Sequence, residues 1–278
     1  MWRLTKPGER AESQGLMWSV LRELRIRADW WLKSRLPWSA AVRIRSVGEL
    51  APHLEALPAP QRARAEELDG RYDLSAWGAC CDEQDVLLNL YHLDILDQHM
   101  SDLPVPNSAL DVGCRAWWNL PGNHSFRSCP WLGVELDGHQ RYVDGSTRAA
   151  LASFRAERFP GATYRTASVT EVSGPFDLIV WLLPYITRGA FDADRLPSGH
   201  FQPEALLDHA LDLLSSGGTL LLINQGEEEA RVQRELLAAR DVEVVELGLL
   251  QSVFPAFDTE RFAFRCSVNR AGGVEGGR

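Results

Sequence analysis

The sequence has no apolar run long enough to cross a membrane. Its longest apolar stretch, LIVWLLPYI at 178–186, is about half of the roughly 20 residues that a spanning helix needs. It also has no leading apolar segment followed by a small-residue cleavage site, so no secretory signal is expected. We therefore expect a cytoplasmic protein without a transmembrane segment.

Cysteine is scarce, and the motifs of several enzyme classes are missing. The five cysteines are odd in number and form no CxxC pair, a pattern typical of reduced thiols and not of a disulfide framework or a zinc site. We found no GxSxG, HExxH or P-loop signature, which speaks against a serine hydrolase, a zinc protease or a nucleotide hydrolase. No metal site is predicted.

The charge of the chain is negative but unevenly spread. The net charge is −9, although residues 1–45 hold ten basic and four acidic residues, and the remainder holds nineteen basic and thirty-four acidic residues. The remainder, at −15, lacks the basic stripe that supplies most of the affinity for nucleic acids. A nucleic-acid partner is therefore not expected, and only the N-terminal segment could attract phosphates.

Residues 15–45 form a basic, tryptophan-rich segment. Val20, Leu21 and Leu24 recur at helical spacing with arginines between them, and Pro37 limits the helix. Most amphipathic helices pack against a core, so this one is expected to pack on the main domain or on a second subunit of a homodimer. The alternative is that it lies on an anionic membrane surface.

The rest of the chain alternates short apolar strands with helices. Predicted strands occupy 108–114, 131–137, 162–169, 176–183, 219–226, 242–250 and 262–268, and helices occupy 145–159, 201–218 and 227–240. Such alternation predicts a parallel sheet covered on both faces. The last two strands are joined only by a loop, so they should pair antiparallel. The predicted fold is α/β, a Rossmann-like, doubly wound, mostly parallel seven-stranded sheet with a C-terminal antiparallel hairpin and N-terminal helices.

Four segments in this order resemble the class I S-adenosylmethionine-dependent methyltransferases. They are SALDVGC as the first strand, LGVELD as the second, GPFDLIVW as the fourth and LLSSGGTLLL before the fifth. The resemblance covers about residues 82–268 and implies S-adenosylmethionine as the cofactor. It divides the chain into an N-terminal helical extension and connector at 1–81, a methyltransferase domain at 82–270 and a disordered tail at 271–278.

The resemblance also implies which residues bind the cofactor. The carboxylate ending the second strand, Glu135, is expected to hold the ribose hydroxyls, with Asp137 as the alternative. Ligands of open α/β sheets do sit beyond the carboxyl ends of the strands, and Glu135 lies 22 residues after Gly113, near the interval of about 20 typical of ribose-binding acids. The full set of expected cofactor-binding residues is Asp111, Gly113, Arg115, Glu135, Ser168 and Leu182.

The first loop departs from the family pattern. The family has two or three closely spaced glycines there, whereas this chain continues after Gly113 with Cys114-Arg115-Ala116-Trp117-Trp118. Arg115 could meet the cofactor carboxylate. Trp117 and Trp118 could cover the sulfonium or adenine, or they could fill a hydrophobic gap under the N-terminal helices.

Further polar residues follow the second and fifth strands. His139, Tyr142 and Glu227 are the candidate catalytic bases, since methyl transfer needs a base only when the acceptor holds its proton tightly. Leu182-Leu183-Pro184-Tyr185 stands where members of the family that methylate adenine or glutamine nitrogens have Asn/Asp-Pro-Pro-Tyr. The missing polar residue makes a nucleobase acceptor unexpected. We therefore expect a methyltransferase for a small or medium organic molecule, or, as the alternative, an inactive protein of this fold that serves as a binding or scaffolding module.

Overall fold

A computed structural model describes residues 7–36, 38–255 and 257–268, with side chains from residue 18 onward. The helices of this part are α1 (Pro7–Arg35), α2 (Ala51–Glu55), α3 (Ala59–Asp69), α4 (Glu83–Met100), α5 (Leu120–Phe126), α6 (Arg148–Ala156), α7 (Arg188–Ala193), α8 (Pro203–Asp212) and α9 (Gly226–Ala238). The strands are β1 (Ala109–Val112), β2 (Trp131–Glu135), β3 (Ala162–Thr166), β4 (Phe176–Leu182), β5 (Leu214–Gln225), β6 (Glu243–Leu249) and β7 (Arg261–Ser267).

The seven strands form one sheet in the order β3-β2-β1-β4-β5-β7-β6. Neighbouring strands from β3 to β5 pair parallel, and β7 pairs antiparallel with both β5 and β6. The predicted fold is confirmed, including the antiparallel C-terminal hairpin, and it is the fold implied by the resemblance to the class I methyltransferases. Since β7 alone runs against the others, the carboxyl ends of β1, β2, β4 and β5 meet at one edge, which we call the carboxyl edge.

The two faces of the sheet bury separate apolar clusters. Alternate residues of each strand point to opposite faces, so Ala109 and Val180 belong to one cluster, while Leu110 and Ile179 belong to the other. The first cluster includes buried side chains of α3 and α4, and the second includes those of α8 and α9. The sheet is therefore covered on both faces, as its apolar strands predict.

Several boundaries differ from the prediction. The segment at 1–81, predicted as a helical extension and connector, contains the short helices α2 and α3 after α1. The helix predicted over 201–218 ends at Asp212, because Leu214 already pairs with Phe176 of β4 and Gly217 takes a left-handed turn (φ 76°). The tail predicted to be disordered at 271–278 lies outside the described residues.

The chain divides into two compact units. One comprises Met1–Trp38 and Tyr185–Gln202, and the other comprises Ser39–Pro184 and Pro203–Arg278. In the first unit, Glu23 of α1 accepts hydrogen bonds from the backbone N–H (3.1 Å) and hydroxyl (2.8 Å) of Ser198. The second unit holds the whole sheet. None of the described helices has the length and apolar character needed to cross a membrane.

Candidate functional site

Left-handed backbone is concentrated at the carboxyl edge. After β1, Gly113, Arg115 and Trp117 have φ of 68°, 52° and 56°. After β4, Leu183 has φ 53°, and after β5, Gly226 has φ 71°. Residues with a side chain rarely adopt this region, and such strain is found preferentially at ligand-binding sites. This edge is therefore the candidate site.

The segment Gly113–Asn119, which we call the β1 loop, takes the left-handed conformation at residues 113, 115 and 117. Only the first of these residues is a glycine, and the other two are Arg115 and Trp117. A left-handed residue with a Cβ costs about 1–2 kcal/mol relative to the ordinary helical region. The loop thus has a backbone conformation that glycines would adopt easily, although Arg115 and Trp117 carry side chains that disfavour it.

Side chains from four other elements hold the backbone of the β1 loop. Arg155 of α6 donates from Nη1 to the Ala116 carbonyl (2.8 Å), and Asn89 of α4 donates from Nδ2 to the Trp118 carbonyl (2.8 Å). Tyr164 of β3 donates to the Arg115 carbonyl (3.3 Å), and Glu135 of β2 accepts from the Arg115 N–H (2.9 Å). These bonds over-determine the loop and so hold its strained residues in place.

Asp111 lies beneath the loop and is completely buried. Its Oδ2 accepts from Trp117 Nε1 (3.0 Å), Asn119 Nδ2 (2.8 Å) and Asn123 Nδ2 (2.8 Å). Its Oδ1 is buried and has no hydrogen-bond partner among the described residues, and the same is true of Oδ1 of Asn119. Burial raises the pKa of Asp111 to about 7, although the three donors act in the opposite direction. Asp111 therefore supports the loop from below through these three hydrogen bonds.

The network continues from Asp111 into α4. Asn123 Oδ1 lies 2.7 Å from Nε2 of His92, which is buried. Because the Asn123 amide nitrogen already donates to Asp111, its oxygen must accept, so His92 carries its proton on Nε2. Burial lowers the pKa of His92 to about 4 and keeps the imidazole neutral. Asn119, Asn123 and His92 were not predicted as site residues.

Both tryptophans of the β1 loop pack inward. The ring of Trp117 is fully buried against Gly133 of β2, where an added Cβ would come within 2.6 Å of the ring. Trp118 is half-buried and contacts the rings of His92 and Phe257 at 6.0 and 6.3 Å. The contacts favour the core-filling alternative, and Trp117 lies below the loop and not on its ligand side.

Glu135 stands at the end of β2, buried to 6% exposure. Its Oε2 accepts from the Arg115 N–H (2.9 Å), and its Oε1 accepts from the Asp137 N–H (2.8 Å) and from Arg148 Nη1 (3.2 Å). A carboxylate offers about four lone-pair positions. The described residues use three of these positions, so one acceptor position remains among them, on Oε2.

The other predicted residues lie on neighbouring loops and strand ends of the carboxyl edge. His139 and the 42% exposed Tyr142 lie on the β2–α6 loop, which folds back through a bridge between Arg141 and Thr147. Ser168 caps the short turn Val169–Glu171, with its hydroxyl accepting from the Thr170 N–H (3.3 Å).

Leu182 ends β4 and is half-buried, and Glu227 is exposed at the start of α9. Strands β1 and β4 lie between β2 and β5. At a spacing of about 4.8 Å per strand, the loops after β2 and β5 start roughly 14 Å apart. Of the predicted residues, the structure therefore brings Asp111, Gly113, Arg115 and Glu135 together, while Glu227 stands apart from His139 and Tyr142. Within the described residues, no group of three or more His, Cys, Asp or Glu could hold a metal ion.

Comparison with known proteins gives structural matches only. No family model matches the sequence, and no curated protein sequence matches it. A putative RNA methyltransferase from Pyrococcus horikoshii is 14% identical with a TM-score of 0.44, covering 83% of this chain and 94% of its own. Magnesium protoporphyrin IX methyltransferase from Synechocystis, solved with bound S-adenosylmethionine, is 12% identical (TM-score 0.43; 81% and 99% covered).

The N-methyltransferase NodS from Bradyrhizobium japonicum, solved with S-adenosylhomocysteine, is 16% identical with a TM-score of 0.43, covering 73% of this chain and 97% of its own. At these identities and scores, the function of this chain has to be argued from its own residues.

Proposed function

We propose that the protein is an S-adenosylmethionine-dependent methyltransferase that acts on a small or medium organic molecule. The observation that carries this proposal is the β1 loop, which is left-handed at 113, 115 and 117 although two of these positions hold arginine and tryptophan. A strained backbone held by side chains from four elements is typical of a preorganised ligand-binding loop. Its place beyond β1 is where open α/β sheets bind their ligands.

The residues fit the adenosyl ribose if one bond is exchanged. One ribose hydroxyl can donate to the open position on Glu135 Oε2. The second hydroxyl needs Oε1, which accepts from Asp137 N–H and Arg148 Nη1. The bond to Arg148 is the longer of the two, at 3.2 Å, and it comes from a side chain, so it is the one that can be exchanged. Glu135 then holds the ribose while Arg115 N–H keeps the carboxylate oriented.

The remaining residues have positioning roles in this proposal. S-adenosylmethionine supplies a methyl group on a positively charged sulfur, which a nucleophile of the acceptor attacks. The chain has mainly to align the two partners. If the acceptor must lose a proton, His139 and Tyr142 after β2 or Glu227 after β5 are the candidate bases. Ser168 and Leu182 are proposed to border the adenine.

The charge of the chain and its cysteines bear on the class of acceptor and on the compartment in which the proposed enzyme works. The acidic balance outside residues 1–45 favours a small acceptor over a nucleic acid. All five cysteines are buried free thiols, which favours a reducing compartment such as the cytoplasm. A homodimer is compatible with the chain.

Calorimetric titration with S-adenosylmethionine tests the proposal. We expect the wild-type protein to bind, and Glu135→Gln to bind 10- to 100-fold more weakly, because a hydrogen bond to a charged group contributes about 1.5–3 kcal/mol. Glu157→Gln is the matched control, since Glu157 is exposed at the far end of α6 and should bind like wild type. Absence of binding at millimolar cofactor, or equal affinity of all three proteins, would contradict the proposal.

A second candidate is a binding module of this fold without catalysis. The observation in its favour is that Glu135 already accepts three hydrogen bonds and is paired with Arg148. In that case the ion pair between Glu135 and Arg148 stabilises the carboxyl edge and binds no cofactor. Titration without heat, together with a Glu135→Gln protein that is destabilised in urea, would favour this candidate.

A further inference from the structure

Helix α1 has two different long faces. On one face, Ile26 and Trp30 are half-buried, and the Trp30 ring lies 5.1 Å from the ring of His200. On the same face, Glu23 binds Ser198. This face is packed within the first compact unit.

The opposite face is apolar and exposed. At 3.6 residues per turn, its side chains fall on less than half of the helix circumference, and we call them the α1 outer face. Each is between 46% and 66% exposed: Trp18, Val20, Leu21, Leu24, Trp31, Leu32 and Leu36. An exposed stripe of large apolar side chains along one helix is typical of an interaction site.

Basic residues lie within and beside the outer face. Arg35 falls in the middle of the apolar stripe and Arg25 at its border, and both are exposed. Between residues 18 and 36 there are five basic and two acidic residues, a net charge of +3. The two acids are Glu23, which is bound by Arg27 and Ser198, and Asp29, which lies 4.0 Å from Arg25.

We propose that the α1 outer face binds the surface of a membrane that contains anionic lipids. Tryptophan and leucine can enter the acyl boundary, while the arginine stems lie along it and their guanidinium groups reach the lipid phosphates. The positive charge complements such a surface. A second copy of the chain is a poorer occupant, because it would bring two Arg35 guanidinium groups of like charge into one apolar interface.

Co-sedimentation of the full chain with vesicles tests this surface. We compare phosphatidylcholine alone with phosphatidylcholine mixed with phosphatidylglycerol, in the absence of cofactor. Each net positive charge near an anionic surface strengthens binding about fivefold, so three net charges predict roughly 100-fold stronger partitioning onto the anionic vesicles. This result is independent of whether the protein binds S-adenosylmethionine, so the two proposals fail separately.

Three variants make the outcome specific. Leu24→Glu with Leu32→Glu should abolish binding, whereas Val105→Glu, at a 73% exposed residue outside α1, should bind like wild type. Arg25→Glu with Arg35→Glu should remove the preference for anionic vesicles. Equal binding to both vesicle types, equal loss in the Val105 control, or no binding by wild type would overturn the proposal. So would a dimer in sedimentation velocity that the Leu24 and Leu32 changes dissociate, since the second copy would then be the occupant.

Discussion

Replacing Asp111 by asparagine should make the protein more stable at neutral and alkaline pH. The carboxyl group is completely buried, and no donor in the described part of the chain reaches its Oδ1. Asparagine has nearly the same shape, and its oxygen can accept the bonds from Trp117, Asn119 and Asn123. Its amide nitrogen then takes the place of the carboxylate oxygen that has no partner among the described residues. The substitution therefore removes a buried charge without opening a cavity.

The magnitude follows from the pKa of Asp111. It rises from 3.8 to about 7 on folding, and each pKa unit corresponds to 1.36 kcal/mol, so the ionised form is disfavoured by about 4 kcal/mol. The folded state therefore holds this proton more tightly than the unfolded state does. The stability that comes from the protonated carboxyl group is fully present below about pH 4 and is lost as the pH rises to about 7. The Asp111→Asn protein lacks this loss.

Urea unfolding of both proteins from about pH 4 to pH 8 measures the effect. The variant's advantage in unfolding free energy should be near zero at the acid end and grow by about 1.4 kcal/mol per pH unit until about pH 7. Asp177→Asn is the control, because hydrogen bonds from Ser215 and Asn107 lower the pKa of Asp177. This carboxyl group therefore stays ionised from about pH 4 to pH 8, and the stability difference between its variant and wild type should stay constant over that range. If the curves for wild type and Asp111→Asn run parallel, the carboxyl group does not titrate as argued.

Three further substitutions test other parts of the structure by urea unfolding. Arg115→Gly should stabilise the protein by up to about 1 kcal/mol by relieving left-handed strain, while Arg115→Ala keeps a Cβ and should gain nothing; equal effects would argue against strain. Gly133→Ala should destabilise by about 1–3 kcal/mol, because the new methyl group overlaps the Trp117 ring. Gly189→Ala, whose added Cβ meets no atom within 4 Å, should be neutral or stabilising. Similar losses of stability in both variants would exclude the overlap. Arg64→Met should destabilise by about 3 kcal/mol, since it removes the half-buried cation that pairs with the buried carboxylate of Asp94; a loss below about 1 kcal/mol would contradict this.

The sequence alone was enough to predict the fold. Apolar strands and amphipathic helices are written in local periodicity, so the seven strands and the antiparallel end could be predicted from spacing. The boundary near 213 was missed, because Gly217 allows β5 to begin before the glycine pair that seemed to end the helix. That turn depends on pairing with β4, which the local pattern does not contain.

The candidate site was predicted only where the chain itself carries the signal. Asp111, Gly113 and Glu135 could be found because strand ends are placed by the fold. Asn119 and Asn123, four residues apart around the start of α5, carried a usable signal as paired amides on one face of a short helix.

Sequence by itself determined which segments become strands and helices, and hence which strand ends meet at the carboxyl edge, because those preferences arise from neighbouring residues. Only the tertiary structure decided what happens at that edge. It brought Asn89, Tyr164 and Arg155 onto the β1 loop and Arg148 onto Glu135. These contacts join residues far apart in the chain, and their geometry is fixed by packing between elements and not by any local periodicity.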